Sequence, residues 1–299
     1  MRAHDDYVHR VNQAIDHVLT HLAEPIRLED VAARARLSPF HFHRIFKALV
    51  GETLADFVTR VRLVRALRLM SQRPRPNLTG IALACGLGSG SNFSRVFKQR
   101  YGAAPSRFDV DALRRRRREA LQATIEDEAA RHLLDRLPRG ENPDGFAVRL
   151  RELPARRVAY IRVERSYQPG RVEAACARLL AWADARGLAD GQWLGYMWDD
   201  PDIVEHERCR YDVGLEIPDL RPSGEVGRID FPPMRVAELE VRGGIDLEMR
   251  ALDWLFSTWL PSSGHVPDEQ PGFEAWIGRP FAHGTDYFEI RLQLPVVKG

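Results

Sequence analysis

The chain has 299 residues, 44% apolar and 29% charged, with a formal net charge of +2. That length accommodates two domains of ordinary size, and the apolar share supports packed cores. No apolar run approaches the roughly 20 residues that cross a bilayer, so neither a membrane-spanning helix nor a membrane partner is expected.

The small net charge hides a division. Residues 1–118 hold 22 Lys and Arg against 10 Asp and Glu, or +12, and the remainder carries −10. A basic first part fused to an acidic second part predicts polyanion binding by the first alone. The polar start, Met1 to Asp6, has no signal-peptide core behind it. Cys85, Cys176 and Cys209 lack metal-like or framework spacing, which suits a reducing cytoplasm. His17 and His21, and His41 and His43, come without a third ligand in a recognisable spacing, so no metal is expected. No Gly-rich phosphate loop or nucleophile elbow occurs, and no cofactor or catalytic residue is predicted.

In chain order, the first strong pattern is a repeat. Phe42-x-Arg44-x-Phe46-Lys47-x₃-Gly51-x₅-Phe57 returns 51 positions later as Phe93-x-Arg95-x-Phe97-Lys98-x₃-Gly102-x₅-Phe108. Before each copy, Leu28, Val31, Ala32, Ala35 and Leu37 match Leu78, Ile81, Ala82, Cys85 and Leu87 at a shift of 50. Each copy reads as a helix, a turn at Leu37-Ser38-Pro39 or Leu87-Gly88-Ser89, and a second helix: a helix-turn-helix, twice. At 100° per residue, Phe42, Ile45, Phe46 and Leu49 share one stripe. Phe40, His43, Arg44 and Lys47 oppose it. In the second copy Ser91, Ser94, Arg95 and Lys98 oppose Phe93, Val96 and Phe97. Arg, Ser and His on such faces suit base edges and phosphates. The alternative is a solvated basic face.

Residues 7–110 resemble the DNA-binding domain of the AraC/XylS transcription regulators. Besides the repeat, the resemblance rests on the linking helix from about Thr53 to Ser71, on Ile81-Ala82-x₃-Gly86-Leu87 and on Gly102-x₂-Pro105-Ser106-x-Phe108. It implies seven helices forming two helix-turn-helix units, with readers in successive major grooves of double-stranded promoter DNA. Residue by residue, it makes Phe40, His43, Arg44, Gly90, Ser91, Asn92, Ser94 and Arg95 base-facing; Lys47 and Lys98 complete the expected DNA-binding set. Small residues at Gly90 and Ser91 predict a less discriminating second reader. Arg60, Arg62, Arg65, Arg68, Arg73 and Arg75 are expected to add phosphate contacts. The run Arg114–Arg118 reads either as more of the same or as a solvated helix face.

Helical periodicity continues through Leu121, Ile125, Leu133, Leu134 and Leu137, then stops at the loop-rich Pro138–Gly145. Short β-type runs follow. Leu153-Pro154-x₂-Arg157-Val158-Ala159 is echoed 78 positions later by Phe231-Pro232-x₂-Arg235-Val236-Ala237. Each copy runs strand, strand, helix, strand, strand. Helices are expected near 169–186 and 244–260, and later strands near 193–198, 209–217, 272–277 and 286–294. Two copies predict one antiparallel sheet with helices on one side and a groove between the halves. The fold class is thus multidomain: an all-α double helix-turn-helix domain at 1–118, a helical connection at 119–145, and an α+β domain of two strand-strand-helix-strand-strand repeats at 146–299.

Residues 146–297 resemble the GyrI-like small-molecule-binding domain, also seen as the effector module of multidrug-responsive regulators. The resemblance rests on Leu194-Gly195-Tyr196-x-Trp198-Asp199-Asp200-Pro201, Cys209–Pro218, Phe273-Glu274-x-Trp276 and Leu292-x-Leu294-Pro295-Val296. It implies that Glu274 is a buried carboxylate binding the effector. The 78-residue shift lays Tyr196 on Glu274 and Trp198 on Trp276, which predicts a ligand pocket of Tyr196, Trp198, Glu274 and Trp276 for an organic cation. The alternative is a Glu274 paired with an arginine or reaching solvent, among core tryptophans. The expected function is a sequence-specific transcription regulator controlled by a small-molecule effector. RNA polymerase is a further partner, and the state is monomer or weak homodimer. The competing reading is a GyrI-like hydrolase or xenobiotic-sequestering module.

Overall fold

Serine caps set where the two reader helices begin. Ser38 accepts the His41 N–H ahead of α3 (Pro39–Val50), and Ser89 accepts the Asn92 N–H ahead of α6 (Gly90–Tyr101). Each helix ends on a glycine in the left-handed region, Gly51 at φ 83° and Gly102 at φ 79°, a conformation a β-carbon would oppose. The computed structural model describes residues 2–72, 75–123, 138 and 140–299, without the side chains of 2–5 and 121–122. Arg73, Ile125, Leu133, Leu134, Leu137 and the Leu121 side chain lie outside the described residues.

The remaining helices of the first part are α1 (Arg2–Thr20), α2 (Leu28–Arg34), α4 (Leu54–Ser71), α5 (Leu78–Ala84) and α7 (Val110–Gln122). Phe42, Phe46 and Phe57 pack with Val31, Ala32 and Ala35 in one core, with ring centroids 5.4 and 5.6 Å apart. Phe93, Phe97 and Phe108 repeat the arrangement at 5.5 and 5.1 Å. Helix α4 buries ten of its 18 residues, so it is a spine and presents few side chains to an outside partner.

Two units result: Met1–Arg115 with Ser223–Gly227, and Arg116–Pro222 with Arg228–Gly299. In the second, β1 (Arg149–Leu153), β2 (Arg156–Glu164), α8 (Arg171–Asp184), β3 (Trp193–Met197) and β4 (Arg210–Glu216) form the first repeat. The second repeat is β5 (Gly227–Phe231), β6 (Met234–Gly243), α9 (Ile245–Trp254), β8 (Gly272–Trp276) and β9 (Phe288–Lys298). The helices and strands expected of this second part are present among the described residues, joined by a strand the sequence pattern does not predict, β7 (His265–Pro267), paired with β9. The strands join in one sheet, in the order β1-β6-β9-β8-β3-β4-β2-β5. The repeats therefore exchange their first strands: β1 pairs with β6, and β5 lies beside β2. They meet where β3 runs antiparallel to β8.

Candidate DNA-reading helices and effector site

On α3, Phe40, His43, Arg44 and Lys47 are exposed, with Phe40 66% accessible and the Arg44 guanidinium 5.7 Å above its ring. On α6, Ser91, Arg95 and Lys98 are exposed, and Gly90 and Ser94 are half-buried. Asn92 is also exposed, but its amide is occupied: Nδ2 donates to the Leu87 carbonyl at 2.9 Å, and Oδ1 accepts from Arg95 at 3.0 Å. That arrangement pins the turn and aims the arginine.

The linking-helix arginines differ from expectation. Arg60 is buried, and its guanidinium donates to Glu52 at 2.9 and 2.6 Å. Arg62 donates to the Leu22 and Glu24 carbonyls at 3.0 and 2.6 Å, capping the turn after α1. Both hold the fold instead of facing phosphate, because α4 is packed nearly all round. Arg65 is half-buried, whereas Arg68 and Arg75 stay exposed, with Arg75 also bonding the Pro105 carbonyl. In the run at 114–118, Arg117 pairs with Glu205 at 2.6 Å, and Arg118 with Asp202 at 2.9 Å and Asp253 at 3.0 Å.

A solvent-open cleft of about 490 Å³ lies over His17 and His21. The His21 ring bonds the His17 carbonyl at 2.8 Å, and among the described residues no group of three His, Cys, Asp or Glu could hold a metal. Cys85, Cys176 and Cys209 are free and buried, and burial pushes the Cys85 and Cys176 thiols up to about 11.

In the second unit, register sorts the side chains, since antiparallel partners share a face. Gly195 lies opposite Glu274 and Tyr196 opposite Phe273. Tyr196 is thus on the face opposite to Glu274, fully buried with Phe231 and Phe273 at 5.1 Å each. Trp198 stays on the Tyr196 side, donating to Asp212 at 2.7 Å beneath the Arg162 guanidinium. The expected four-residue pocket is therefore split: Glu274 and Trp276 are together, and Tyr196 and Trp198 are behind the sheet. The reason is geometric. A two-fold relation between antiparallel partners whose positions sum to an odd number needs an odd offset to keep a residue on its face, and the 78-residue shift is even.

Two residues unforeseen in the sequence complete the Glu274 side. The Tyr211 hydroxyl donates to Glu274 Oε2 at 2.5 Å, a charge-assisted bond. Glu248, in the first turn of α9, brings a second carboxyl group against that of Glu274. Glu248 and Glu274 are only 5% and 8% exposed. Gly195 leaves room for this cluster: a β-carbon there would lie 1.8 Å from the Tyr211 hydroxyl and 2.9 Å from Glu274 Oε2. Burial raises the Glu248 carboxyl well above the usual carboxylate range, and the Glu274 charge adds to the rise. Burial also raises Glu274, against donation from Tyr211 and Glu248. Among the described residues no arginine bonds Glu274. Trp276 continues the face, with Phe281 and Phe288 at 5.1 and 5.8 Å. A cleft of about 290 Å³ opens beside Trp276, lined also by Gln192, Asp190 and Arg279. A signal for Glu248 was present in the sequence: it shares a helical stripe with Ala251 and Leu255, both buried.

A buried carboxylate with aromatic neighbours, on a sheet built from two repeats, agrees with the match of residues 146–297 to the family described as the GyrI-like small molecule binding domain. The chain belongs to the GyrI-like family. Residues 31–110 match a helix-turn-helix domain family and form the AraC-type DNA-binding part. Together they have the layout of an effector-controlled, DNA-binding transcription regulator. The chain is 32% identical over 159 residues to a DNA gyrase inhibitor of Serratia proteamaculans (strain 568), covering 52% of this chain and 100% of the inhibitor. It is 34% identical over 96 residues to the HTH-type transcriptional activator RhaS of Klebsiella pneumoniae (strain 342), covering 32% of this chain and 34% of the activator. The chain thus spans all of the inhibitor but about a third of the activator. Among solved structures, the DNA-binding domain of AdpA in complex with a target DNA aligns at 27% identity and TM-score 0.31, over 32% of this chain and 86% of that one. Among the described residues no helix is long and apolar enough to cross a membrane.

Proposed function

We propose that this GyrI-like regulator senses an organic cation at Glu274 and reads two segments of promoter DNA with α3 and α6. Residues 1–118 are the reading part, 119–145 the connection and 146–299 the sensing part. The observation carrying the sensing half is a nearly buried carboxylate with no arginine partner among the described residues, on a face that also holds Glu248, Tyr211 and Trp276. Burying such a charge is costly unless it is neutralised. A cation drawn to the Trp276 ring neutralises it, and a site of one charge and several rings selects by charge more than by outline, which suits a multidrug response. Two readers in one chain fill successive grooves without a second copy, so the working state is a monomer or weak homodimer acting on RNA polymerase.

The test is calorimetric titration of benzyltrimethylammonium and its neutral isostere neopentylbenzene. A cation about 4 Å from a carboxylate gains up to about 4 kcal/mol at an effective dielectric near 20. Glu274→Gln should therefore weaken the ammonium by about 2–4 kcal/mol and leave the hydrocarbon nearly unchanged. Trp276→Ala should weaken both. Equal affinity of wild type and Glu274→Gln for the ammonium would sink the anchor. One observation favours hydrolysis as a second reading: two buried carboxyl groups lie together, and burial raises Glu248 well above the usual carboxylate range, so the two would serve as acid and base. Turnover of a bound small molecule by wild type and not by Glu274→Gln would establish that activity.

A further inference from the structure

The other buried carboxylates of the second unit each meet an arginine among the described residues. Asp199 pairs with Arg210 at 2.8 Å, Asp202 with Arg118 at 2.9 Å, Asp212 with Arg162 at 2.7 Å, and Glu238 with Arg151 at 3.2 Å. Glu248 and Glu274 have each other instead. Two carboxyl groups buried against each other hold a proton between them, because carboxylate lone pairs cannot donate to one another and two adjacent buried charges repel. The Tyr211 hydroxyl supplies the second donor to Glu274 at 2.5 Å. Extending the reading of Glu274 as the effector anchor, we propose that Glu248 and Glu274 share one proton in the ligand-free chain. A cationic effector then drives that proton from the pair into solvent. Affinity for cations climbs with pH, and Glu248 is the positioning residue that sets the slope.

The surroundings leave few other groups to take up the titration. From β4 the pair faces Tyr211, whose hydroxyl burial and the Glu274 charge hold in the protonated form. Tyr167, after β2, is 45% exposed as a whole, but enclosure of its hydroxyl end and then the nearby acidic groups, Glu248 among them, push it up. From β6 and β9 the register presents Ala237, Leu239, Ile290 and Leu292, which do not titrate. Without ligand the pair carries one negative charge, which Tyr211 stabilises. An incoming cation favours the second ionisation for the same reason that the first carboxylate opposes it. Loss of one proton on binding makes affinity rise by up to about tenfold per pH unit, and the complex holds fewer protons than the free chain, so the slope is positive.

The experiment uses the full chain in two forms of measurement. Benzyltrimethylammonium is titrated calorimetrically from pH 5.5 to 8.5 in buffers of different ionisation enthalpy, against wild type, Glu248→Gln and Glu274→Gln. Wild type should bind more tightly as pH rises and release up to one proton. Glu248→Gln keeps an N–H donor to Glu274 but has no proton to lose, so its affinity should be flat with pH and its release zero. Glu274→Gln should bind weakly throughout. Flat, release-free binding by wild type, with Glu274→Gln still weak, overturns the shared proton and leaves the anchor standing. Equal binding by wild type and Glu274→Gln overturns the anchor instead. Infrared spectra of the ligand-free chain at pH 8 test the proton without any ligand: wild type should show a protonated-carboxyl band that Glu248→Gln lacks. Absence of that band in wild type overturns the proposal whatever the titration gives.

Discussion

Gly195→Ala should break the effector site from within its own face, chiefly by displacing Tyr211 and also by crowding the Glu274 carboxyl at 2.9 Å. The new methyl would sit 1.8 Å from the Tyr211 hydroxyl and 2.5 Å from its ring carbon, so the tyrosine must leave. Leaving forfeits a hydrogen bond to a charged acceptor, about 1.5–3 kcal/mol. It also exposes part of an aromatic ring, whose full burial is worth about 1.5–3 kcal/mol. Replacing a strand glycine by alanine returns about 0.5–1 kcal/mol of backbone entropy. The net loss is then about 2–5 kcal/mol. In a Tyr211→Ala background the severe clash is gone and only the 2.9 Å approach to Glu274 Oε2, the far end of a side chain, remains, so the same substitution should cost much less. All six tryptophans lie between Trp182 and Trp276, so tryptophan fluorescence during urea unfolding reports the second unit alone. A similar cost for Gly195→Ala in both backgrounds would refute the packing argument, because Tyr211 makes the closest approach to the position.

Three further outcomes follow from the same geometry. Arg44→Ala and Arg95→Ala should each cost about 1–3 kcal/mol and relax base preference in one DNA segment only, read by selection from a random duplex pool; uniform weakening would deny a base-reading role. Arg118→Ala removes the arginine that pairs with both Asp202 and Asp253 where little solvent reaches, and should lower the fluorescence-reported stability by about 3 kcal/mol, whereas an unchanged urea midpoint would deny the pairing any structural weight. Glu248 and Glu274 have raised native pKa values, so their contribution is full below the ordinary carboxylate range and lost as pH rises through the raised values. Stability between pH 5 and 8 should therefore fall by up to about 1.4 kcal/mol per unit in wild type and less steeply in Glu248→Gln, and parallel slopes would contradict the shared burial.

Much of this was legible because it is local. Ser38 and Ser89 before apolar stripes, and Gly51 and Gly102 after them, specify helix ends within a few residues. The strands of both repeats were likewise readable from short β-type runs. What escaped depends on partners distant in sequence. Arg60 and Arg62 look like phosphate ligands until α4 is seen packed on nearly every side. The pairing of Tyr196 with Phe273 is a matter of strand register, and a one-residue change sends a side chain to the opposite face. An internal repeat cannot supply that parity, since an insertion between its strands shifts one pair and not another. Tyr211 was within a recognised stretch, but only its facing Gly195 reveals what its hydroxyl reaches.

The exchange of first strands between the repeats bears on how the sensing part folds. Arg149 finds its partner Glu238 across some ninety positions of chain, and β5 docks beside β2 over a comparable span. Neither half has a complete set of neighbours until the other has been made, so a ribosome releasing the first repeat presents β2 with one edge open. High contact order of this kind slows folding and ties the halves into a single cooperative transition. Neither repeat can then be trimmed away without opening an edge of the other.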